Sequence, residues 1–166
     1  REGYKIGIIS QPDWKNSDSV KVFGKPRYGF FVSSGNIDSM VAHYTAAKKK
    51  RSNDAYTPGG KAGARPDRAV IVYCNRIREA YGDVPLIIGG LEASLRRFAH
   101  YDYWSDSVRR SIIFDSQADY ISFGMGERSI IELANMLAEG NMPHMGNMPD
   151  GVCYVSSDLP KGAVEL

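Results

Sequence analysis

Four short apolar runs limit the folds that this chain can adopt. Each is rich in β-branched or aromatic residues and ends in small or polar residues, which is typical of strands. Their near-continuous apolarity, rather than a strict alternation, is expected of a parallel sheet that is covered on both faces. The runs are Tyr4–Ser10, Gly29–Ser33, Val84–Ile88 and Asp119–Phe123. Val152–Ser156 is a weaker fifth candidate.

Helical patterns separate these strands. Apolar residues recur at spacings of three and four, as on the buried face of an amphipathic helix. Pro66 before the second pattern and Gly82 after it are the residue types expected at a helix start and stop. The predicted helices cover Ile37–Lys49, Asp67–Tyr81, Ser105–Phe114 and Glu127–Glu139. This alternation predicts an α/β fold, with an open, mostly parallel, Rossmann-like sheet and helices on both faces.

Two segments rich in Pro and Gly set the domain organisation. Arg51–Pro66 has little apolar content and predicts a long loop that is either functional or mobile. Asn141–Gly151 predicts a connector. We therefore expect one α/β domain over residues 1–140, followed by the connector and a C-terminal extension over residues 141–166. The chain opens without Met and without a signal peptide, as expected of a piece of a longer protein.

Composition excludes several classes of protein. The 166 residues are 43% hydrophobic and 24% charged, which suits a buried core and excludes a disordered tail. No apolar run approaches the roughly 18–20 residues of a membrane helix. A net charge of +2 argues against general nucleic-acid binding. Two isolated cysteines, Cys74 and Cys153, predict a reduced, cytoplasmic protein and cannot by themselves form a Cys-ligated metal site.

The carboxyl ends of the predicted strands are the first place to look for a site, because open α/β sheets bind ligands there. Glycine and serine turns at these ends allow close approach to the backbone and suit an anionic ligand. Short βα turns are also rich in glycine for geometric reasons alone. Neither a dinucleotide fingerprint nor a P-loop is present. The candidate cofactor-binding residues are Ser33, Ser34, Gly35, Asn36, Gly89, Gly90, Ser94, Gly124, Gly126 and Glu127.

The chemically densest stretch is Arg96–Trp104, which follows the glycine turn closely. Arginines and aromatic rings at a ligand edge can hold a phosphate or stack on a planar group. They also suit single-stranded nucleic acid, although the net charge argues against it. A solvated loop with packed aromatic rings explains the same residues. We favour a partner- or ligand-binding edge formed by Arg96, Arg97, His100, Tyr101, Asp102, Tyr103 and Trp104.

Residue spacing shows no catalytic arrangement. The histidines His43, His100 and His144 are not spaced as metal ligands, and no Ser–His–Asp order is legible. We therefore predict neither a catalytic residue nor a metal ligand in this chain. The basic run Lys48–Arg51 is most simply the solvated end of the first predicted helix.

Several strings of residues resemble one family. VPLII followed by GGLEAS, and later ADYISFGMGE, resembles the N-terminal cobalamin-binding-like domain of radical-SAM proteins. The strings GIISQPDW, SSGNIDSMVAHYTA, NDAYTPGGKAGARPDRA, GGLEASLRRFAHYDYWSDSVRRSI and GMGER narrow the resemblance to the YgiQ family of radical-SAM proteins. The resemblance runs from Gly3 to about Leu137, which is most of the chain.

The resemblance implies a larger parent enzyme with a central barrel. There, a CxxxCxxC motif would ligate a [4Fe–4S] cluster at which S-adenosylmethionine is cleaved reductively; this chain has no such motif. The family domain also has a strand and a turn before Gly3, and cobalamin-binding relatives place a lower-axial histidine in that turn. This sequence contains neither, so we expect weak or absent cobalamin binding and no cofactor in this chain itself.

Two functions follow as alternatives. The first is an accessory domain, not catalytic alone, that supports or covers the barrel active site of a radical-SAM iron–sulfur enzyme. The second is an independent ligand- or partner-binding module that uses the carboxyl edge of the strands. An autonomous hydrolase or oxidoreductase is disfavoured, because the chain lacks a triad, a metal set and a nucleotide loop. We expect the parent's own barrel as partner, no membrane or nucleic-acid partner, and self-association of the isolated chain through exposed aromatic side chains.

Overall fold

The computed structural model describes residues 2–158. Two short 3-10 turns, Ser19–Lys21 and Pro58–Gly60, accompany the regular elements. In chain order, these elements are β1 (Phe30–Val32), α1 (Ser39–His43), α2 (Ala69–Tyr81), β2 (Leu86–Ile88), α3 (Gly90–Leu95), β3 (His100–Asp102), β4 (Ser107–Arg109), α4 (Ile112–Ser116), β5 (Tyr120–Ser122), α5 (Glu127–Ala138) and β6 (Val152–Tyr154).

The main sheet is open and has the strand order β1-β2-β5-β6. β1 pairs with β2 and β2 with β5 in parallel, whereas β6 runs antiparallel to β5. The second pair, β3 and β4, forms a separate antiparallel hairpin. The α/β class and the mostly parallel open sheet are therefore as predicted.

Alternate side chains of the strands are buried on opposite faces of the sheet, because successive residues of a strand point to opposite sides. Ile88 and Ile121 pack with Val70 and Ile77 of α2, together with residues of α4. On the other face, Ile87 and Tyr120 pack against Leu133 and Leu137 of α5. The strands are buried on both sides, which is why their sequences are apolar throughout. Helices cover both faces, as predicted.

The two longest helices lie where the pattern predicts them. α2 ends at Gly82, whose φ of +60° is a left-handed conformation that suits glycine and whose N–H donates to the Arg78 carbonyl. α5 begins after Gly126, and its buried stripe includes Leu133 and Leu137. Pro and Gly punctuation therefore sets the bounds of these helices correctly.

The predicted strand over Tyr4–Ser10 is wrong. These residues form no regular element, and Ile6 and Ile8 are 80% and 79% exposed. Side chains hold the segment instead: the Tyr4 hydroxyl donates to Asn135 Oδ1 at 2.6 Å. An apolar run becomes a strand only where its backbone groups find a partner. Among the described residues, no strand pairs with this segment.

The first predicted helix is wrong in its length, because α1 ends at His43. Tyr44 is extended, with φ −127° and ψ 150°, and its hydroxyl donates to Asp67 Oδ2 at 2.6 Å. The Arg51 N–H donates back to the His43 carbonyl at 2.7 Å. These tertiary bonds override a helical pattern that extends to Lys49. The basic run Lys48–Arg51 thus lies on an exposed turn rather than at a helix end.

The helix predicted over Ser105–Phe114 is also wrong, because the first half of that range belongs to the β3–β4 hairpin. Asp106, with φ +50°, lies in the hairpin loop just before β4. Helical structure begins only at Ile112. Ser111 is the N-cap, and its side-chain oxygen accepts the Ile113 N–H. Apolar residues at helical spacing misled the interpretation, because Val108 points outward from a strand while Ile112 is buried.

β6 confirms the weaker fifth strand candidate, Val152–Ser156, within the segment predicted as a C-terminal extension. Val152, Cys153 and Tyr154 pair with Ser122, Ile121 and Tyr120 of β5, which adds this segment to the main sheet. Residues 159–166 of the predicted extension lie outside the described residues.

Candidate functional site

The carboxyl ends of the parallel strands bring the predicted glycine and serine turns together. A Cβ added at Gly90 would lie 3.2 Å from the Ser33 Cβ, and one at Gly89 would lie 3.2 Å from the Ser122 carbonyl oxygen. The Gly124 N–H donates to Ser94 Oγ at 3.3 Å. The loops after β1, β2 and β5 therefore meet at one edge, whose exposed predicted residues are Ser33, Gly35, Asn36, Gly90, Gly124 and Glu127.

Ser34 is held below this edge by the long loop over residues 51–66. Its hydroxyl donates to the Ile37 carbonyl at 3.0 Å, and its own carbonyl accepts from Arg65 Nη1 at 3.0 Å. Arg65 Nη2 is 2.7 Å from Asp54 Oδ2, and both side chains are almost fully buried. Burial alone would raise the pKa of Asp54, but the Arg65 guanidinium brings it below its usual range. The buried ion pair therefore joins two parts of the loop, and the hydrogen bond from Arg65 to the Ser34 carbonyl fixes the loop to the edge.

Glu92, within the GGLEAS string, is only 1% exposed. Its Oε2 accepts the N–H of Ser39 at 2.8 Å, and its Oε1 accepts the N–H of Val70 at 3.1 Å. These amides belong to the first residues of α1 and α2, which have no partners within their own helices. One carboxylate therefore connects α3 to the starts of two other helices.

Arg96 lies inside the domain rather than on the exposed edge. Its Nη1 contacts Asp38 Oδ2, and the other oxygen of Asp38 accepts the N–H groups of Met40 and Val41 at the start of α1. Desolvation lowers the pKa of Arg96. Its charge is therefore used in the structure, which leaves Arg97 as the arginine nearer the surface.

The β3–β4 hairpin divides the remaining predicted edge residues between two faces. His100 and Asp102 point inward, and Asp102 is 5% exposed beside Arg68. Burial alone would raise the pKa of Asp102, but side-chain hydrogen bonds from Arg68 and Ser105 lower it to about 2. Tyr101 and Tyr103 point outward and are 59% and 44% exposed.

The space behind the hairpin is too small for a ligand. A cavity of about 10 Å³ lies there, which is room for one water molecule. Three arginines reach it, and each is already paired with a carboxylate. Its lining consists of Arg68, Ile71, Arg96, His100, Arg109, Ile112 and Asp115. This cluster joins the hairpin to α2 and α4 as a structural network.

An apolar patch on the carboxyl edge is exposed. Leu91 and Leu95 occupy one side of α3, one turn apart, and are 46% and 62% exposed. Phe98 is 67% exposed and Met125 86% exposed; Met125 follows Gly124, which contacts Ser94 of α3. We call Leu91, Leu95, Phe98 and Met125 the edge patch. The Arg97 guanidinium lies 4.6 Å from the centre of the Phe98 ring and 5.0 Å from that of Phe123, at the side of this patch.

The remaining half-buried aromatic of the predicted edge, Trp104, packs against its neighbour. Its ring meets that of Tyr103 edge-on, with centroids 5.8 Å apart, and its N–H is buried. The predicted Arg96–Trp104 edge is therefore not one continuous surface. Arg96, His100 and Asp102 serve the interior, whereas Tyr101 and Tyr103 face outward.

Cysteines and histidines lie apart from the glycine turns. Cys74 is buried in the core and Cys153 is half-buried on β6; burial raises the pKa of each thiol. His43 is buried with Nδ1 2.7 Å from Asp67 Oδ1, and His144 accepts the Gly146 N–H. Over residues 2–158, no group of three His, Cys, Asp or Glu side chains is placed to hold a metal ion. The same residues include no helix long and apolar enough to cross a membrane.

Sequence reasoning missed the buried carboxylates that organise the edge. The sequence does contain one signal of the buried Glu92, because this glutamate lies between two apolar residues, Leu91 and Ala93. Asp38 precedes a helix and is legible as an N-cap. The pairing of Asp54 with Arg65 has no such local signal, because both residues lie in an irregular loop.

Comparison with known proteins places the chain in a family. Residues 1–166 match the family described as radical SAM N-terminal. A UPF0313 protein of Clostridium botulinum (strain Okra / Type B1) is 60% identical over 159 residues, which are 96% of this chain and 25% of that protein. A UPF0313 protein of Clostridium perfringens (strain SM101 / Type A) is 57% identical over 158 residues, which are 95% of this chain and 24% of that protein.

No solved structure matches the chain. The chain spans about a quarter of the length of the curated relatives it matches. The family match covers the whole sequence, and the relatives confirm the YgiQ resemblance. The chain therefore belongs to the radical SAM N-terminal family.

Proposed function

We propose that the chain is an accessory domain of a radical-SAM iron–sulfur enzyme and that its carboxyl edge packs against the parent's barrel. The edge patch is the observation that carries this proposal. Four large apolar side chains, on α3 and on the loops that follow α3 and β5, are from 46% to 86% exposed at the edge where open α/β sheets bind their partners and ligands. Contiguous exposed apolar side chains mark interaction surfaces.

The edge is built as a rigid support for such a contact. Glu92 fixes α3 to the starts of α1 and α2, and Arg65, held by Asp54, bonds the long loop to the Ser34 carbonyl. Because these bonds are buried, the patch is presented with little conformational freedom, which lowers the entropic cost of docking. About three quarters of each matched relative lies outside the matched region, which provides a partner large enough to cover the patch.

The residues of this chain do not fit the cofactors that the family implies. A [4Fe–4S] cluster needs closely spaced cysteine thiolates, whereas Cys74 is enclosed in the core and Cys153 lies on a strand of the sheet. We therefore assign the cluster and S-adenosylmethionine to the rest of the parent. A lower-axial histidine is likewise missing from the described loops after β1, β2 and β5, which supports weak or absent cobalamin binding.

In this proposal the chain performs no chemical step. Its glycine and serine turns, Gly89-Gly90 and Ser33-Ser34 among them, would line the closed side of the active site and contact substrate or cofactor from there. Reduced Cys74 and Cys153 suit a cytoplasmic parent. The alternative, an independent partner-binding module, would use the same edge of the sheet. In that case the parent's barrel would not cover the edge, which would stay exposed in the full-length protein.

Hydrogen exchange on the full-length protein tests the proposal. We expect the amides of α3 and of the Gly124–Glu127 turn to exchange more slowly in the full-length protein than in residues 1–166 alone. Leu95→Asp with Met125→Asp should remove that difference and slow reductive cleavage of S-adenosylmethionine at least tenfold. Val22→Asp, at a position that is 64% exposed elsewhere, is the matched control. Equal exchange in both proteins, with cleavage unaffected by the edge variants, would overturn the proposal and favour the independent module.

A further inference from the structure

The outer face of the β3–β4 hairpin is aromatic and solvent-exposed. His100, Asp102 and Arg109 point inward, so their neighbours point outward by the two-residue period of a strand. Tyr101 and Val108 form a cross-strand pair on this outer face and are 59% and 78% exposed. Tyr103, just beyond β3, is 44% exposed. Two aromatic rings and one aliphatic side chain are therefore partly exposed on this outer face.

A basic turn lies directly beside Tyr103. Lys48, Lys49, Lys50 and Arg51 are consecutive and exposed, on the turn closed by the Thr45 and Lys49 backbone bond. Within the part of the chain that the structure describes, none of these four cations forms a salt bridge. Most arginines of the domain, in contrast, are paired with carboxylates.

Two contacts join the turn to the hairpin. The Tyr103 hydroxyl donates to the Ala46 carbonyl at 2.7 Å, and Lys48 Nζ lies 4.6 Å from the centre of the Tyr103 ring. The Tyr101 hydroxyl is bonded to Asp106. Both hydroxyls are thus used within the domain, and Lys48 lies over one face of the Tyr103 ring. A base would stack on the Tyr101 ring and on the remaining face of Tyr103. Rings and cations therefore form one surface.

We propose that this surface binds a single-stranded polynucleotide. We call it the basic–aromatic face and define it as Tyr101, Tyr103, Val108 and the run Lys48–Arg51. Stacking of bases on exposed aromatic rings, next to cations that contact the phosphates, is how proteins bind single strands without reading their sequence. A net charge of +2 over the chain does not exclude this, because four of the cations are concentrated on one turn.

The same features argue against other anionic partners. A duplex keeps its bases stacked inside and would leave the two tyrosine rings without a partner. A lipid surface would need a larger apolar area than Val108 and two tyrosines provide. An acidic peptide would engage the cations but not the rings. This face is separate from the edge patch, so the proposal is independent of the accessory role.

Fluorescence anisotropy with labelled oligo(U) and oligo(dT) of about 12 nucleotides tests the proposal on the full-length protein. We expect saturable binding of one or both, with affinity that falls as salt rises. Lys48→Gln, Lys49→Gln and Lys50→Gln together should reduce the slope of log Kd against log salt by about 2, since each phosphate contact on a single strand contributes about 0.7. Binding of oligo(U) but not of oligo(dT) would identify the bound single strand as RNA.

Matched variants separate stacking from general charge. Tyr101→Ala and Tyr103→Ala should each raise Kd about tenfold, whereas Tyr101→Phe, which keeps the ring and the bond from Tyr103 to Ala46, should bind like the wild type. Lys5→Gln, Lys15→Gln and Lys25→Gln together remove the same charge elsewhere and should leave the salt slope unchanged. Circular dichroism checks that each variant folds.

Three results would overturn the proposal. The first is no anisotropy change at micromolar protein. The second is an equal effect of the two lysine triples, which would show diffuse charge only. The third is competition by a duplex, by an acidic peptide or by anionic vesicles that equals competition by the unlabelled single strand.

Discussion

Glu92 accepts the backbone N–H of Ser39 at 2.8 Å, across 53 residues of sequence. Its second oxygen accepts the Val70 N–H at 3.1 Å. Both oxygens of a buried carboxylate are thereby used by amides at helix starts, where the helix dipole favours a negative charge. This one side chain sets where α1 and α2 begin relative to α3.

Glu92→Gln should destabilise the domain by about 1–3 kcal/mol, because the new amide group would face a backbone N–H and leave it without an acceptor. Urea unfolding of residues 1–166 measures this change in the free energy of unfolding. We expect the m-value, which is the slope of that free energy against urea concentration, to stay constant. Glu132→Gln is the control: its ion pair with Arg128 is exposed, and its loss should cost less than about 1 kcal/mol. Equal losses in the two variants would contradict the role assigned to Glu92.

Asp102 should make stability depend on pH in the acid range. Its pKa is about 2 in the folded protein and below its ordinary value of 3.8, so folding favours the charged form. The resulting stabilisation, on the order of 2 kcal/mol, is fully present above about pH 5 and is lost as pH falls toward 2. Asp102→Asn should flatten the curve of unfolding free energy against pH between these values and lower stability at neutral pH.

Asp18→Asn serves as the comparison for that titration, since the Asp18 side chain is 81% exposed in its pair with Lys21. It should leave the acid slope intact. If the Asp102→Asn variant keeps the wild-type slope of unfolding free energy against pH, other carboxylates produce that slope.

Gly90 should tolerate a side chain poorly because of both backbone strain and a close contact. Comparison with Gly124, which has only the backbone strain, separates the two effects. The Gly90 φ of +77° is left-handed, and a Cβ added there would lie 3.2 Å from the Ser33 Cβ. Gly124 has φ +74° with open space around it. Gly124→Ala should cost about 1 kcal/mol through backbone strain alone. Gly90→Ala should cost more, and Gly90→Val more again.

Thermal unfolding ranks these variants, since about 1 kcal/mol corresponds to about 2–4 °C in a domain of this size. An unchanged melting temperature for Gly90→Val would remove the structural basis assigned to this turn. Equal effects of alanine at the two glycines would show that the contact with Ser33 contributes nothing.

Residues 1–166 should take up no stoichiometric iron on anaerobic reconstitution and show no broad visible absorbance. Cys74 and Cys153 are too few and wrongly placed to ligate a cluster. Iron analysis checks this, with the full-length protein reconstituted in parallel as the positive control. Stoichiometric iron in the chain alone would contradict it.

Periodicity and punctuation predicted the parts of the fold whose sequence carries the signal locally. β2 and β5 are apolar throughout because they are buried on both faces, and α2 and α5 carry a continuous buried stripe. The sequence also predicted that the glycine turns converge, because the carboxyl ends of parallel strands lie at one edge of the sheet. These features need no knowledge of distant contacts.

Long-range bonds decided the elements that sequence reasoning missed. α1 stops at His43 because Tyr44 bonds to Asp67, and Tyr4–Ser10 forms no strand because its backbone has no described partner. β4 was included in a predicted helix because Val108 stands at helical spacing from Ile112, whereas the inward residue of that strand, Arg109, is charged and lies near Asp102 of β3. A buried ion pair hides a strand from any rule based on hydrophobicity.

The span of the Glu92 bonds has a consequence for synthesis on the ribosome. Ser39 and Val70 are synthesised before the carboxylate that fixes their helices, and β2 likewise precedes its partner β5. Until then, α2 and β1 lack most of the apolar partners that cover them in the folded domain, such as Ile88 and Ile121. The nascent domain therefore passes through an extended period of aggregation risk, which ends only when translation reaches the second half of the sheet.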